Sequence, residues 1–120
     1  MISNICEILS ILKLEDANEI AKFKNIIIKL NNPIILSYLI SYHLEWIEES
    51  ELANTIIENH DEFTCFSILA NSGENLNELT REKLLRKIFM SNNPTIINET
   101  MNLKIDKKFN IAKRKYLHTK

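Results

Sequence analysis

Residues 31 to 47 read NNPIILSYLISYHLEWI, and this stretch indicates the fold class of the chain. Asn32 is suited to cap a helix N-terminus, and Pro33 suits the first helical position, where its missing N–H is not needed. The apolar residues that follow, as far as Ile47, occupy more than one face of a helix. We therefore predict a helix that begins at Pro33 and is the most buried helix of the chain.

The same starting device recurs twice along the sequence. Asn59-His60-Asp61 and Asn92-Asn93-Pro94 each precede an apolar segment, at intervals of 28 and 33 residues from Asn31. Each interval has room for two helices, which predicts antiparallel helix pairs stacked into an α-solenoid. Over residues 31 to 104 the pattern resembles HEAT or armadillo repeats. An irregular helical bundle is the alternative.

Apolar stripes at helical spacing predict seven to eight short helices in all. The stripe of Ile5, Ile8, Leu9 and Leu12 marks the first helix, and the basic segment from Phe109 to Leu117 marks the last. We expect Gly73 to end the fifth helix in a left-handed conformation. The expected N-caps are Ser3 or Asn4, Asp16, Asn32, Ser50, Asp61, Thr80 and Asn93.

Composition supports one all-α domain over residues 1 to 120, either a HEAT-like α-solenoid or an irregular helical bundle. The chain has one glycine and two prolines, whereas β-rich folds and loop-built sites need more turn residues. Cys6 and Cys65 have no disulfide spacing, so both are expected to be buried thiols. The longest apolar runs, such as Ile26 to Ile28, are too short to cross a membrane, and we expect a cytoplasmic protein.

Charge is segregated along the chain although the net charge is only −1. No Lys or Arg lies between Leu30 and Thr80, a stretch that holds nine acidic residues. From Lys104 to the end, basic residues dominate. The sequence thus predicts an acidic helical body over residues 1 to 103 and a basic C-terminal helix or tail over residues 104 to 120.

Aromatic residues accompany the acids. Tyr38, Tyr42 and Trp46 recur at i, i+4 and i+8, which places them on one helical stripe beside acidic side chains. Such a stripe either belongs to the core or forms an interface for a basic protein, and the acids either cap helices or bind that partner. The candidate partner-binding residues are Tyr38, Tyr42, Glu45, Trp46, Glu48, Glu49, Glu51, Asp61 and Glu62.

Catalytic and metal-binding patterns are sparse, so we expect neither a catalytic site nor a metal or other cofactor. His43, His60 and His118 have no second His or Cys at ligand spacing, and one glycine cannot build a phosphate-binding loop. The segment Arg114 to His118 resembles the Arg and His pair of HEPN ribonucleases. Three residues separate the pair here, whereas that family has four to six, and this puts a nuclease function in doubt.

A small, acidic, helical protein of this type resembles the immunity proteins of bacterial toxin–immunity systems. The resemblance implies a non-enzymatic inhibitor that occludes the active site of a basic toxin nuclease. Two alternatives remain open, a phage anti-defence protein and a nucleic-acid-associated regulator that uses the basic C-terminal segment. The partner is thus expected to be a basic protein rather than a membrane or a nucleic acid, and the oligomeric state is undetermined.

Overall fold

The computed structural model describes residues 2 to 30 and 32 to 117, and it confirms an all-α fold. Every regular element of these residues is helical. Short 3₁₀ turns at Leu44–Trp46 and Gly73–Asn75 interrupt the order of the longer helices. The α-helices are α1 (Ile2–Ile11), α2 (Ala17–Leu30), α3 (Pro33–His43), α4 (Glu49–Asn59), α5 (Glu62–Ser72), α6 (Glu78–Phe89), α7 (Pro94–Asn102) and α8 (Lys107–Leu117).

The central four helices form two copies of one helical hairpin. In both copies an α-helix leads into a 3₁₀ turn and then into a second α-helix. Each element of the second copy begins 29 residues after its counterpart: Glu62 after Pro33, Gly73 after Leu44, and Glu78 after Glu49. The hairpins thus repeat in the structure at a period close to the one that the cap pattern predicts.

The hairpins stack so that their helices form two layers. Helices α1, α3, α5 and α7 pack in that order in the first layer, and α4, α6 and α8 pack in order in the second, while α2 packs on α3 and on the turn after it. The described residues extend over 47 × 25 × 22 Å. Fully buried side chains between the layers, such as Leu39, Leu52, Ile68 and Leu85, make one continuous core.

Asparagine and aspartate caps set the positions of several helices. The side chains of Asn32, Asp61 and Asn93 accept hydrogen bonds from the first backbone N–H groups of α3, α5 and α7, as predicted. Two predicted caps are wrong. Ser50 and Thr80 lie inside α4 and α6, because those helices begin earlier, at Glu49 and at Glu78 after the cap Asn77.

Gly73 does not take the left-handed conformation that we predicted from its place after α5. Its φ is −58°, within the right-handed helical region, and among the described residues only Asn92 has a positive φ. Gly73 is instead needed for space, since a Cβ at this position would lie 2.6 Å from Cδ1 of Ile105. The glycine therefore lets the turn between α7 and α8 pack against the turn between α5 and α6.

Candidate functional site

The turns of the two central hairpins meet at one edge of the stack. The backbone N–H of Asn77 donates to Oε1 of Glu49 at 2.9 Å, which joins the start of α4 to the turn before α6. Residues 44 to 48 and residues 73 to 77 are therefore neighbours in space. Their carboxylates form what we call the acidic edge, which consists of Glu45, Glu48, Glu49 and Glu74.

Most of the acidic edge is open to solvent. The side chain of Glu45 is 71 % exposed, Glu48 and Glu74 are exposed, and Glu49 is half-buried. Of the edge carboxylates, Glu45 lies 3.8 Å from Nδ1 of His43, and none has a Lys or Arg partner among the described residues. The edge thus presents negative charge that the fold does not neutralise with a permanent cation.

Two tyrosines line a cleft beside this edge, on the outer face of α3. The rings of Tyr38 and Tyr42 stack with centroids 5.8 Å apart and an interplanar angle of 26°. Tyr42 is 51 % exposed and lies one residue before the end of α3, next to the turn that carries Glu45. The tyrosine cleft has a volume of about 500 Å³, and its lining consists of Ile34, Ser37, Tyr38, Ser41, Tyr42 and Asn71.

Trp46 does not share the surface stripe of the tyrosines, contrary to the candidate set drawn from the sequence. α3 ends at His43, whose backbone leaves the helical region at φ −140° and ψ 40°, so the i+8 position no longer lies above Tyr38. The Trp46 side chain turns inward and is only 8 % exposed. It stacks on the His43 ring at 4.0 Å and meets Phe23 edge to face.

The remaining candidate acids are divided between two edges. Glu51 is exposed in the first turn of α4, close to the acidic edge. Asp61 and Glu62 begin α5 and lie beyond the other end of α4, whose 11 residues span about 16 Å. Asp61 also accepts a hydrogen bond from the backbone N–H of Thr64 as the cap of α5. These two residues therefore lie apart from the acidic edge.

The basic C-terminal segment is a docked helix as far as the structure describes it. Phe109 and Ala112 are buried, and the Tyr116 ring stacks on Phe89 at 4.8 Å. Lys108 and Lys115 pair with Glu78 and Glu82 of α6, each at 2.9 Å. Much of the positive charge on α8 is thus neutralised by α6, although Lys104, Lys107 and Arg114 remain exposed.

Two further cations near this helix are structural. Arg81 is buried, and its guanidinium donates to the Gly73 carbonyl at 2.8 Å and to Oδ2 of Asp106 at 2.7 Å. Lys113 is also buried, and its ammonium donates to the carbonyl oxygens of Met101 and Leu103 at the end of α7. Burial lowers the pKa of Lys113, and the nearby Lys104 lowers it further.

Sequence reasoning missed a basic groove on the second layer. Lys83, Arg86 and Lys87 of α6 line it together with the end of α4, and its volume is about 620 Å³. These residues follow the acidic stretch immediately and recur at i, i+3 and i+4, so their spacing could have indicated a shared helical face. Attention to the two extremes of charge, before Thr80 and after Lys104, hid this smaller cluster.

The sites considered for catalysis and metal binding receive little geometric support. His118 of the HEPN-like pair lies outside the described residues. No three His, Cys, Asp or Glu side chains come together to hold a metal ion within residues 2–30 and 32–117. Cys6 and Cys65 are buried, and burial raises the pKa of the Cys65 thiol to about 11. Both thiols are thereby disfavoured as nucleophiles at neutral pH.

No protein-family model matches the chain, and no curated protein or solved structure is significantly similar to it. None of the helices in the described part of the chain has the length and apolar character of a membrane span. The function must therefore be argued from the surfaces themselves.

Proposed function

We propose that this protein is a non-enzymatic inhibitor that binds a basic protein partner through the acidic edge and the tyrosine cleft. The observation that carries the proposal is the stacked, solvent-exposed Tyr38–Tyr42 pair next to carboxylates that have no Lys or Arg partner among the described residues. The partner class that fits best is a toxin nuclease, whose surface is basic because it binds nucleic acid. In that case the protein would act as an immunity protein.

The tyrosines supply the affinity in this proposal. Tyrosine is enriched among the interface residues that dominate binding energy, because it offers a large rigid face and a polar hydroxyl. The stacked rings of Tyr38 and Tyr42 are also suited to receive an Arg or Lys side chain, since aromatic faces attract cations. Ile34 extends the same cleft with an apolar contact.

The acidic edge supplies speed and selectivity. Glu45, Glu48 and Glu74 are exposed on neighbouring turns, so their potentials add on one surface. Such a surface accelerates encounter with a basic protein and disfavours acidic competitors, and both effects weaken as salt rises. Occlusion of a nuclease active site requires no chemistry from the inhibitor, which agrees with a site built from carboxylates and aromatic rings alone.

The proposal is tested by capture from the soluble extract of the source cells at 50 mM salt. The bait proteins are the wild type, a Glu45→Lys/Glu48→Lys variant, and a control Glu7→Lys/Glu15→Lys variant that has the same net charge change at exposed positions outside the edge. We expect one stoichiometric basic protein on the wild type and the control. It should be lost from the edge variant and at 0.5 M salt, and the purified partner should cleave nucleic acid until one equivalent of this protein is added.

Other results would contradict the proposal. A partner retained equally by the edge variant would show that binding uses another surface. Recovery of nucleic acid alone would favour the regulator, and truncation before Lys104 should then abolish that binding. A partner with no nuclease activity would leave protein binding intact but would exclude the toxin nuclease as its target.

A further inference from the structure

The end of α4 and the last turns of α6 enclose the basic groove on the face opposite the tyrosine cleft. Its lining includes Asn54 and Ile57 of α4, and Lys83, Arg86, Lys87 and Met90 of or just beyond α6. The three cations lie within little more than one helical turn. They therefore concentrate positive charge over about 6 Å of helix.

The protein itself offers these cations only neutral oxygen atoms. Nζ of Lys83 donates to Oδ1 of Asn54 at 3.4 Å, and Nζ of Lys87 donates to the carbonyl oxygen of Ile57 at 3.1 Å. The ion pairs of the described residues involve Arg81, Lys108 and Lys115 instead. α6 and α8 thus neutralise their other cations but leave this group without a carboxylate within ion-pair distance.

The groove also has an apolar part. Met90 is 72 % exposed at its rim, and the half-buried Ile57 lies in its wall. A ligand that fills the groove therefore meets apolar surface and three cations together. Methionine adapts to differently shaped apolar side chains, which suits a peptide-binding surface.

We propose that this groove binds a short acidic peptide segment of a protein, with carboxylates on Lys83, Arg86 and Lys87 and an apolar side chain on Ile57 and Met90. A peptide fits better than nucleic acid for two reasons. Glu62 also lines the groove and would repel a continuous phosphate backbone. The lining has no aromatic ring on which bases could stack.

The proposal is tested by fluorescence anisotropy with a fluorescein-labelled peptide, Glu-Glu-Leu-Glu-Glu-Leu, and its Gln-Gln-Leu-Gln-Gln-Leu counterpart. The groove variant is Lys83→Gln/Arg86→Gln, and the control is Lys104→Gln/Lys107→Gln, which removes the same charge from exposed residues elsewhere. We expect the groove variant to bind the acidic peptide about tenfold more weakly, because charge-assisted contacts are lost, and the control to change affinity less than twofold. Met90→Ser should also weaken binding.

Three outcomes would overturn the proposal. These are equal weakening in the groove and control variants, equal affinity for the glutamine peptide, and no peptide binding by the wild type at 1 mM. A single-stranded 12-nucleotide DNA that binds more tightly than the acidic peptide, and loses affinity in the groove variant, would assign the groove to nucleic acid instead. Each result is independent of the acidic edge, because Glu45 and Glu48 are unchanged in every variant.

Discussion

The backbone N–H of Asn77 donates to the carboxylate of Glu49 at 2.9 Å, although 28 residues separate the two along the chain. This bond fixes one hairpin turn against the next and so brings the acidic edge together. Glu49→Ala removes the acceptor and should lower the free energy of unfolding by about 1 kcal/mol, whereas Glu49→Gln, which keeps an acceptor oxygen, should cost less. Urea unfolding of the two variants measures the difference, and an equal loss would mean that the bond contributes little.

Gly73 and Ile105 provide a paired test of the packing between hairpin turns. Gly73→Ala should destabilise the protein because its Cβ would lie 2.6 Å from Cδ1 of Ile105. In an Ile105→Val background that methyl group is absent, and the same substitution should stabilise by about 0.4–1 kcal/mol, since alanine has less conformational freedom in the unfolded chain. Thermal unfolding of the double-mutant cycle checks this reversal. Destabilisation in both backgrounds would place the constraint elsewhere.

Trp46 and Tyr42 should behave in opposite ways. Trp46→Ala removes a buried ring that packs on His43 and Phe23, and it should cost about 3–5 kcal/mol of unfolding free energy. Tyr42→Ala removes a half-exposed ring and should cost less than about 1 kcal/mol, while it weakens partner binding. Chemical denaturation gives the first comparison. A stable, partner-deficient Trp46 variant would argue that the tryptophan is an interface residue after all.

Asp106 makes the docking of α8 sensitive to acid. The backbone N–H of Phe109 and then the Arg81 guanidinium hold the pKa of Asp106 below its usual value. Its contribution is therefore present above the unfolded-state pKa of about 3.9 and is lost as the pH falls through the lower folded-state pKa. Asp106→Asn should flatten the decline of stability below about pH 4 relative to the wild type. Parallel pH profiles of the two proteins would contradict this assignment.

At neutral pH the same residue separates capping from charge. Asp106→Ala loses the cap of α8 and leaves the buried Arg81 without its counter-ion, and we expect a cost of about 1–3 kcal/mol. Asp106→Asn keeps a capping oxygen and should cost less. The estimate is kept low because Asp106 is 44 % exposed and solvent screens its charge.

Local sequence signals predicted the helices well because they act over a few residues. Pro33 and Pro94 follow Asn caps, and both pairs begin helices in the structure. The buried face of α8 was likewise readable from the spacing of Phe109, Ala112 and Tyr116. Caps and amphipathic periods depend on neighbours one helical turn away, which a single sequence shows directly.

The composition of the candidate site was harder to predict because it depends on where helices end and how hairpins stack. Trp46 was extrapolated along a helix that ends three residues earlier, at His43. Glu74 joined the candidate site only through the stacking of two turns, and Asp61 left it for the same reason. The role of Gly73 depended on Ile105, a contact over 32 residues that no local pattern encodes.

The central claim, that the tyrosine cleft and the acidic edge bind a basic protein, is tested most directly by photo-crosslinking. A benzophenone amino acid is placed at Tyr42 or, as a control of similar exposure on the other layer, at Ile111, which is 57 % exposed. We predict that the probe at position 42 crosslinks one basic protein in the cell extract, that the probe at position 111 does not, and that Glu45→Lys/Glu48→Lys abolishes the product. Equal crosslinking at both positions, or a product at position 42 that survives the charge reversal, would contradict the claim.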